Sequence, residues 1–277
     1  MLRVDRIELR EIRLPLREPF RISSGVLTAR RITLLELVDA DGLVAWSECV
    51  AEELPNYSPD TAGTSWLALR EWLAPRVLGR GFASPDDLWP VLDQDIRGHR
   101  MAKAAIEMGF WALAAERAAV PLAMLLGGTR ERIEVGISLG IQPTPAALAE
   151  RAAAALAEGY RKIKLKIKPG ADIDYIATVR AALGPAAPLM VDANNAYTLA
   201  DSARLAELDA FNLVMLEQPL EHEDLVRHAE LQRRLKTPLC LDESITSVNR
   251  AEDMIALGSG RIINIKFGRV GGFRVVR

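Results

Sequence analysis

Pro188-Leu-Met-Val-Asp192, Asn212-Leu-Val-Met-Leu-Glu217 and Pro238-Leu-Cys-Leu-Asp242 are three short apolar runs, each closed by an acidic residue, and the acids stand 25 residues apart. Lys166 precedes the first by 26 residues and Lys266 follows the last by 24. A period near 25 is what one buried strand, one helix and two short loops consume. The five charged side chains are therefore expected at the same end of consecutive parallel strands. Three carboxylates and two ammonium groups in one mouth are costly to assemble unless a metal ion and an anionic substrate neutralise them.

Outward from these runs the β/α alternation continues. A strand over 133–139 is followed by a helix with Thr144 as N-cap, Pro145 in its first turn and Gly159 as its stop. Strands are read at 161–167, 190–192, 213–217, 239–242 and 262–266, and helices at 173–183, 202–208, 224–235 and 250–257. Such units close into an eight-stranded barrel with chemistry at the strands' carboxyl ends. Only six strands are found, and Phe267 to Arg277 are too few for two more units. The expectation is an incomplete barrel, through truncation or with the remainder supplied by another chain.

Residues 1–125 have another texture. Val4 to Arg10 alternates with period two, and Ile32–Val38 and Leu43–Cys49 flank the turn Asp39-Ala40-Asp41-Gly42 as a hairpin. Helical periodicity follows over 64–73 and 101–118. This reads as an antiparallel α+β domain over 1–125, ahead of the partial (β/α) barrel over 126–277.

The 277 residues are 49% hydrophobic but only 5% aromatic, so the core must be aliphatic. With 35 basic and 37 acidic residues spread along the chain, nothing points to a nucleic-acid or membrane-surface partner. No run approaches the roughly 20 apolar residues that span a bilayer. The amino terminus is too charged for a signal peptide, so the chain reads as soluble and cytoplasmic. Two cysteines, Cys49 and Cys240, exclude a disulfide framework.

Carboxylate oxygens without His or Cys suit a hard divalent cation, Mg²⁺ above all, with Mn²⁺ as a substitute. Asp192, Glu217 and Asp242 are its candidate ligands. Lys164 and Lys166, two apart on one strand, share a face, here the barrel interior. Crowding by a second ammonium group, the metal's charge and partial burial are expected to favour a neutral lysine and make it a usable base. Lys266, four strands further round, is expected to face the substrate from the other side. The set suits removal of a proton next to a carboxylate, a pattern known from enolase-superfamily sites.

The chain resembles that superfamily and, within it, the o-succinylbenzoate synthase and N-acylamino acid racemase family. The matching motifs are Lys164-Leu-Lys166, Val191-Asp192-Ala-Asn194, Leu216-Glu217-Gln-Pro-Leu-Glu221, Leu241-Asp242-Glu-Ser244 and Asn264-Ile-Lys266. Trp46-Ser-Glu-Cys49, Pro55-Asn-Tyr-Ser58 and His99-Arg-Met-Ala-Lys-Ala match outside the mouth, whereas Phe267 stands where the family usually has proline. The resemblance implies Mg²⁺ on Asp192, Glu217 and Asp242, an acid/base pair in Lys166 and Lys266, and Lys164 near the substrate carboxylate. It also implies substrate contacts from Ser138, Tyr57, Phe20 and Asn194, with Glu243 orienting a ligand or a lysine. The amino-terminal domain is implied to be a cap whose loops near 20–25 and 55–58 close over a small carboxylate substrate. Homo-oligomerisation is compatible with the family.

Two reactions follow from the resemblance: Mg²⁺-dependent dehydration to o-succinylbenzoate, used in menaquinone synthesis, and racemisation of N-succinylamino acids by two-base proton transfer. Dipeptide epimerases and muconate-type cycloisomerases share the scaffold but resemble the chain less in the cap motifs. A rival of another class is an inactive fragment with open barrel edges. Lys162 and Lys168 read as solvated strand ends. His99, His222 and His228 share no metal-ligand spacing and read as structural or surface residues. Gly268, Gly271 and Gly272 lack the spacing of a nucleotide loop and read as a turn.

Overall fold

In the computed structural model, which describes residues 1–277, the alternation after residue 132 builds one parallel sheet. Its strands are β5 (Gly136–Leu139), β6 (Lys162–Lys166), β7 (Leu189–Asp192), β8 (Met215–Glu217), β9 (Leu239–Leu241) and β10 (Ile262–Ile263). They pair in sequence order, β10-β9-β8-β7-β6-β5, which leaves β5 and β10 as edges. This is the six-stranded, incomplete barrel expected from the 25-residue period.

Each strand is read by its alternation. Ile163 and Leu165 of β6 are fully buried and pack with Leu189, Val191, Leu216 and Leu239 in one core. The helices Pro145–Ala157 and Ile173–Leu183 add Leu148, Ala152, Ile176 and Val179 to that core. Burying a leucine in such a layer stabilises by about 2 kcal/mol. The other face of β6 is left to Lys162, Lys164 and Lys166. The Pro145–Ala157 helix starts where expected: the Thr144 hydroxyl accepts from Ala147 N at 3.2 Å.

Contacts gather the chain into two units. One comprises Met1–Pro15, Ala29–Glu131 and Ile265–Arg277; the other comprises Leu16–Thr28 and Arg132–Asn264. An antiparallel sheet of order β3-β2-β1-β4 is made by β1 (Leu2–Ile22), β2 (Gly25–Asp39), β3 (Val44–Cys49) and β4 (Gly81–Phe82). The Asp-Gly hairpin forms as read. Asp39 accepts from Asp41 N at 2.9 Å and Leu43 N at 2.8 Å, and Leu35 pairs with Ser47. Helix α1 (Arg100–Ala118) presses Ile106, Phe110 and Leu113 into a core with Leu35 and Leu37.

Several expectations are corrected. β1 runs unbroken through Pro15 and Pro19 to Ile22, so Phe20 stands on a strand rather than in a loop. The first barrel strand begins at Gly136, three residues later than Ile133. The helix read over 64–73 is split into an α-helical turn, Ala62–Leu67, and a π-wound one, Ala68–Leu73. The last segment, 265–277, groups by contact with the amino-terminal strands and α1 rather than with the parallel sheet.

Candidate active site

Parallel register sets the site. Lys166 pairs with Asp192, and Asp192 with Glu217, so three charged side chains reach the carboxyl ends of β6, β7 and β8 at one level. Asp242 follows β9 and Asn264 follows β10. Asp192, Glu217 and Asp242 are essentially without solvent contact. Charged groups so buried must be neutralised by partners.

Here the partners are lysines and amides. Lys166 Nζ lies 2.6 Å from Asp192 Oδ2 and 2.6 Å from Asn194 Oδ1. Lys164 Nζ bridges two strands, 3.0 Å from Asp192 Oδ2 and 3.0 and 3.1 Å from the two Glu217 oxygens. Asn264 Nδ2 donates to Glu217 Oε1 at 2.9 Å and reaches Asp242 Oδ2 at 3.4 Å. Asn194 is itself held, donating through Nδ2 to Glu243 Oε1 at 3.0 Å. Its main-chain N–H donates to Asp192 Oδ1 at 3.0 Å, with φ in the left-handed region that asparagine tolerates. Gln218 ties neighbouring strand ends together, accepting from Asp242 N at 3.0 Å and donating to Ser244 Oγ at 2.8 Å.

The carboxyl groups titrate apart. Burial works against the Asp192 charge, but the Lys166 and Lys164 ammonium groups prevail and hold its carboxyl below the usual range. Burial and the Asp192 charge push Glu217 up, with Lys164 and Asn264 opposing. The Lys164 pKa moves the other way from the Asp192 one. Burial lowers it, yet the charges of Asp192 and Glu217 outweigh burial and raise it.

Of the residues singled out from sequence, this unit brings together Lys164, Lys166, Asp192, Glu217, Asn194 and Glu243, with Asp242 joined through Asn264. Ser138 stands opposite Lys164 in the β5–β6 register, its buried Oγ without a hydrogen-bond partner. It lines a cavity of about 370 Å³ with Lys164, Glu217 and Asn264. Phe20 lies against Gly140, where a Cβ would come within 3.3 Å of its ring. Lys266 and Tyr57 fall in the amino-terminal unit, where the Lys266 ammonium lies 4.3 Å from the centre of the Tyr57 ring. Arg269 donates to the Tyr57 hydroxyl at 3.0 Å.

Asn264 and Gln218 were given no role from sequence. For Asn264 the signal was available, since Asn264-Ile-Lys266 repeats the two-residue spacing of Lys164-Leu-Lys166. His228 is structural, as read. Its Nδ1 meets Asp224 O at 2.6 Å and its Nε2 accepts from Leu220 N at 3.3 Å, and burial keeps its pKa low.

No three His, Cys, Asp or Glu side chains are gathered closely enough to hold a metal ion as they stand. The donor chemistry nevertheless fits a hard cation: three buried carboxylates on adjacent strand ends, all oxygen, with an ammonium group between the first two. The orphaned Ser138 Oγ nearby fits a further polar ligand group.

Comparison with known proteins agrees with this architecture. Residues 6–127 match the mandelate racemase / muconate lactonizing enzyme N-terminal domain, and residues 147–277 match the enolase C-terminal domain-like family. The o-succinylbenzoate synthase of Geobacillus kaustophilus is 49% identical over 271 residues, which cover 98% of this chain and 72% of that protein. The N-succinylamino acid racemase of Thermus thermophilus is 46% identical, covering 98% of this chain and 73% of its own length. The crystal structure of an enolase-superfamily member from Enterococcus faecalis V583 aligns with a TM-score of 0.91 at 41% identity, over 99% of this chain and 74% of that one. The inert-fragment alternative finds no support among these likenesses. The chain belongs to the enolase superfamily, in the family of o-succinylbenzoate synthases and N-succinylamino acid racemases.

Proposed function

We propose that the protein is an o-succinylbenzoate synthase, removing the proton next to a substrate carboxylate and expelling water to leave an aromatic ring. The observation that carries this reading is the Lys166 amine, held at 2.6 Å by both Asp192 and Asn194 beside two further buried acids. To act as the base Lys166 must first give up one ammonium proton; its two remaining N–H groups then serve those acceptors and leave its lone pair for the α-proton. Glu243, through Asn194, fixes the direction of that lone pair. The α-proton passes to Lys166 Nζ as the C–H electron pair moves toward the carboxylate, and the protonated amine hands that proton to the departing hydroxyl group, which leaves as water.

Asp192, Glu217 and Asp242 would hold Mg²⁺, which neutralises the charge that gathers on the substrate carboxylate as the α-proton leaves. Lys164 supplies a second positive charge to that carboxylate. Asn264 keeps Glu217 and Asp242 from turning apart, and Ser138 offers a hydroxyl to the substrate. Phe20 and Tyr57 supply apolar contact. The partner is a small carboxylic acid.

Racemisation of N-succinylamino acids is the second reading, favoured by the 46% identity to the Thermus enzyme and by the second lysine in Asn264-Ile-Lys266. Lys266 then serves as the other acid/base group, one lysine taking the proton and the other returning one.

The test is an assay with Mg²⁺ on the cyclohexadiene precursor of o-succinylbenzoate and, separately, on N-succinylamino acids in deuterium oxide. Formation of the aromatic product supports the synthase. Deuterium uptake at the α-carbon with no aromatic product replaces it with the racemase, and neither reaction removes both readings.

A further inference from the structure

Glu107 is wholly buried in the middle of α1, yet no part of the proposed chemistry uses it. Its Oε1 accepts from Trp111 Nε1 at 2.8 Å and from the main-chain N–H of Arg274 at 2.9 Å. Its Oε2 accepts from the main-chain N–H of Phe273 at 2.8 Å. Two of these three donors belong to the segment that begins at Lys266, 166 and 167 residues further along. All three are neutral N–H groups. Burial pushes the carboxyl group up, and the three N–H groups draw it back.

The segment between is built to carry that anchor back to Lys266. The Lys266 carbonyl accepts from Val270 N at 3.3 Å, and Phe267 O accepts from Gly271 N at 3.0 Å and Gly272 N at 2.9 Å, so 266–272 is one closed turn. Gly271 and Gly272 both have φ in the left-handed region. A Cβ on Gly271 would overlap the Trp89 ring, and one on Gly272 would overlap the Glu107 carboxylate itself. The rings of Phe267 and Phe273 meet edge to face at 4.8 Å across the two ends of the turn. Phe267, which stands where the family usually has proline, therefore closes the turn from the lysine's side. Lys266 is left exposed, its ammonium over Tyr57.

We propose that Glu107 is a positioning residue for Lys266: by clamping the amides of Phe273 and Arg274 it fixes the turn from which the Lys266 side chain projects. The consequence for catalysis rests on the reading of Lys266 as an acid/base group; the anchoring itself does not. A misplacement of about 1 Å at a reacting group is enough to cost on the order of a hundredfold in rate. Replacing one oxygen by an amide NH₂ turns at least one accepting contact into a donor facing a donor.

The experiment uses Glu107→Gln with two readouts. The chain has only seven lysines, so reductive ¹³C-methylation resolves them by NMR, and Lys266 is identified by the signal lost in Lys266→Ala. Its methyls feel the ring current of Tyr57. In Glu107→Gln the Lys266 signal is expected to move toward that of a freely solvated lysine while those of Lys162 and Lys236 stay in place. On unmodified protein, kcat is expected to fall about tenfold or more with KM changed less than about twofold. If Glu107→Gln yields no folded protein, Glu107→Asp carries the test, since it withdraws the oxygens by one methylene, and the same changes are expected in smaller measure. An unmoved Lys266 signal overturns the inference whatever happens to kcat. A moved signal with unchanged kcat overturns its catalytic half. Full activity in Lys266→Ala removes the acid/base reading instead, and the signal still decides the anchoring.

Discussion

Glu217 and Glu107 are both fully buried glutamates, both raised by burial, and they sit in opposite kinds of surroundings. Around Glu217 are an ammonium group, an amide and a second carboxylate, gathered from three other strand ends. The hydrogen bonds to Glu107 come from neutral N–H donors, two of them main chain. A carboxylate saturated by neutral donors holds a backbone in place. One crowded by other charges is unfinished without a cation and a substrate. Burial alone does not tell an anchor from a reactive centre; the partners do.

The largest loss is expected at Lys166. Lys166→Ala removes the amine that Asp192 and Asn194 hold, and turnover is expected to drop by about 10³-fold, the ordinary contribution of a positioned acid/base group. Stopped-flow or product assays check it, with thermal unfolding to show that the fold is retained. The anchor is attacked by Gly272→Ala, whose methyl group would drive into the Glu107 carboxylate at a left-handed φ. A loss of about 2–3 kcal/mol in urea unfolding is expected.

A third buried carboxylate sharpens the contrast because it is structural and yet charge-paired. Asp172 accepts from Ile173 N, from the Tyr197 hydroxyl at 2.9 Å and from Arg204 at 2.6 and 2.7 Å. Burial opposes its charge, but these partners prevail and hold its carboxyl below the usual range. Its folded pKa lies below the unfolded value of about 3.9, so its contribution is complete above that value and fades as pH falls through the folded one. Asp172→Asn is expected to cost about 1–3 kcal/mol at neutral pH. The gap from the parent should shrink below about pH 4, read as urea midpoints across pH. The smallest effect belongs to the exposed Arg227–Asp224 pair, where Arg227→Ala is expected to change stability by less than about 0.5 kcal/mol.

Much of the parallel sheet was legible because its signal is periodic. Asp192, Glu217 and Asp242 recur every 25 residues, and Ile163 and Leu165 alternate with lysines that must then face the other way. The hairpin at Asp39 was legible for a local reason: one side chain caps its own turn. The strand continuing to Ile22 was hidden by Pro15 and Pro19, residues that ordinarily mark strand ends or edges. The grouping of 265–277 with α1 left no local trace. It depends on Glu107 meeting amides more than 160 residues away, and a lone glutamate in an alanine-rich helix reads as an ordinary helical residue. The raised pKa of Lys164 left no local trace either, because the two carboxylates that touch it at 3.0 Å come from the next two strands.

The most direct test is a calorimetric Mg²⁺ titration of the parent protein, Glu217→Gln and Glu107→Gln at one pH. Binding is expected in the parent and in Glu107→Gln, and binding weakened by about a hundredfold or more in Glu217→Gln. Equal affinity in the parent and Glu217→Gln would contradict it.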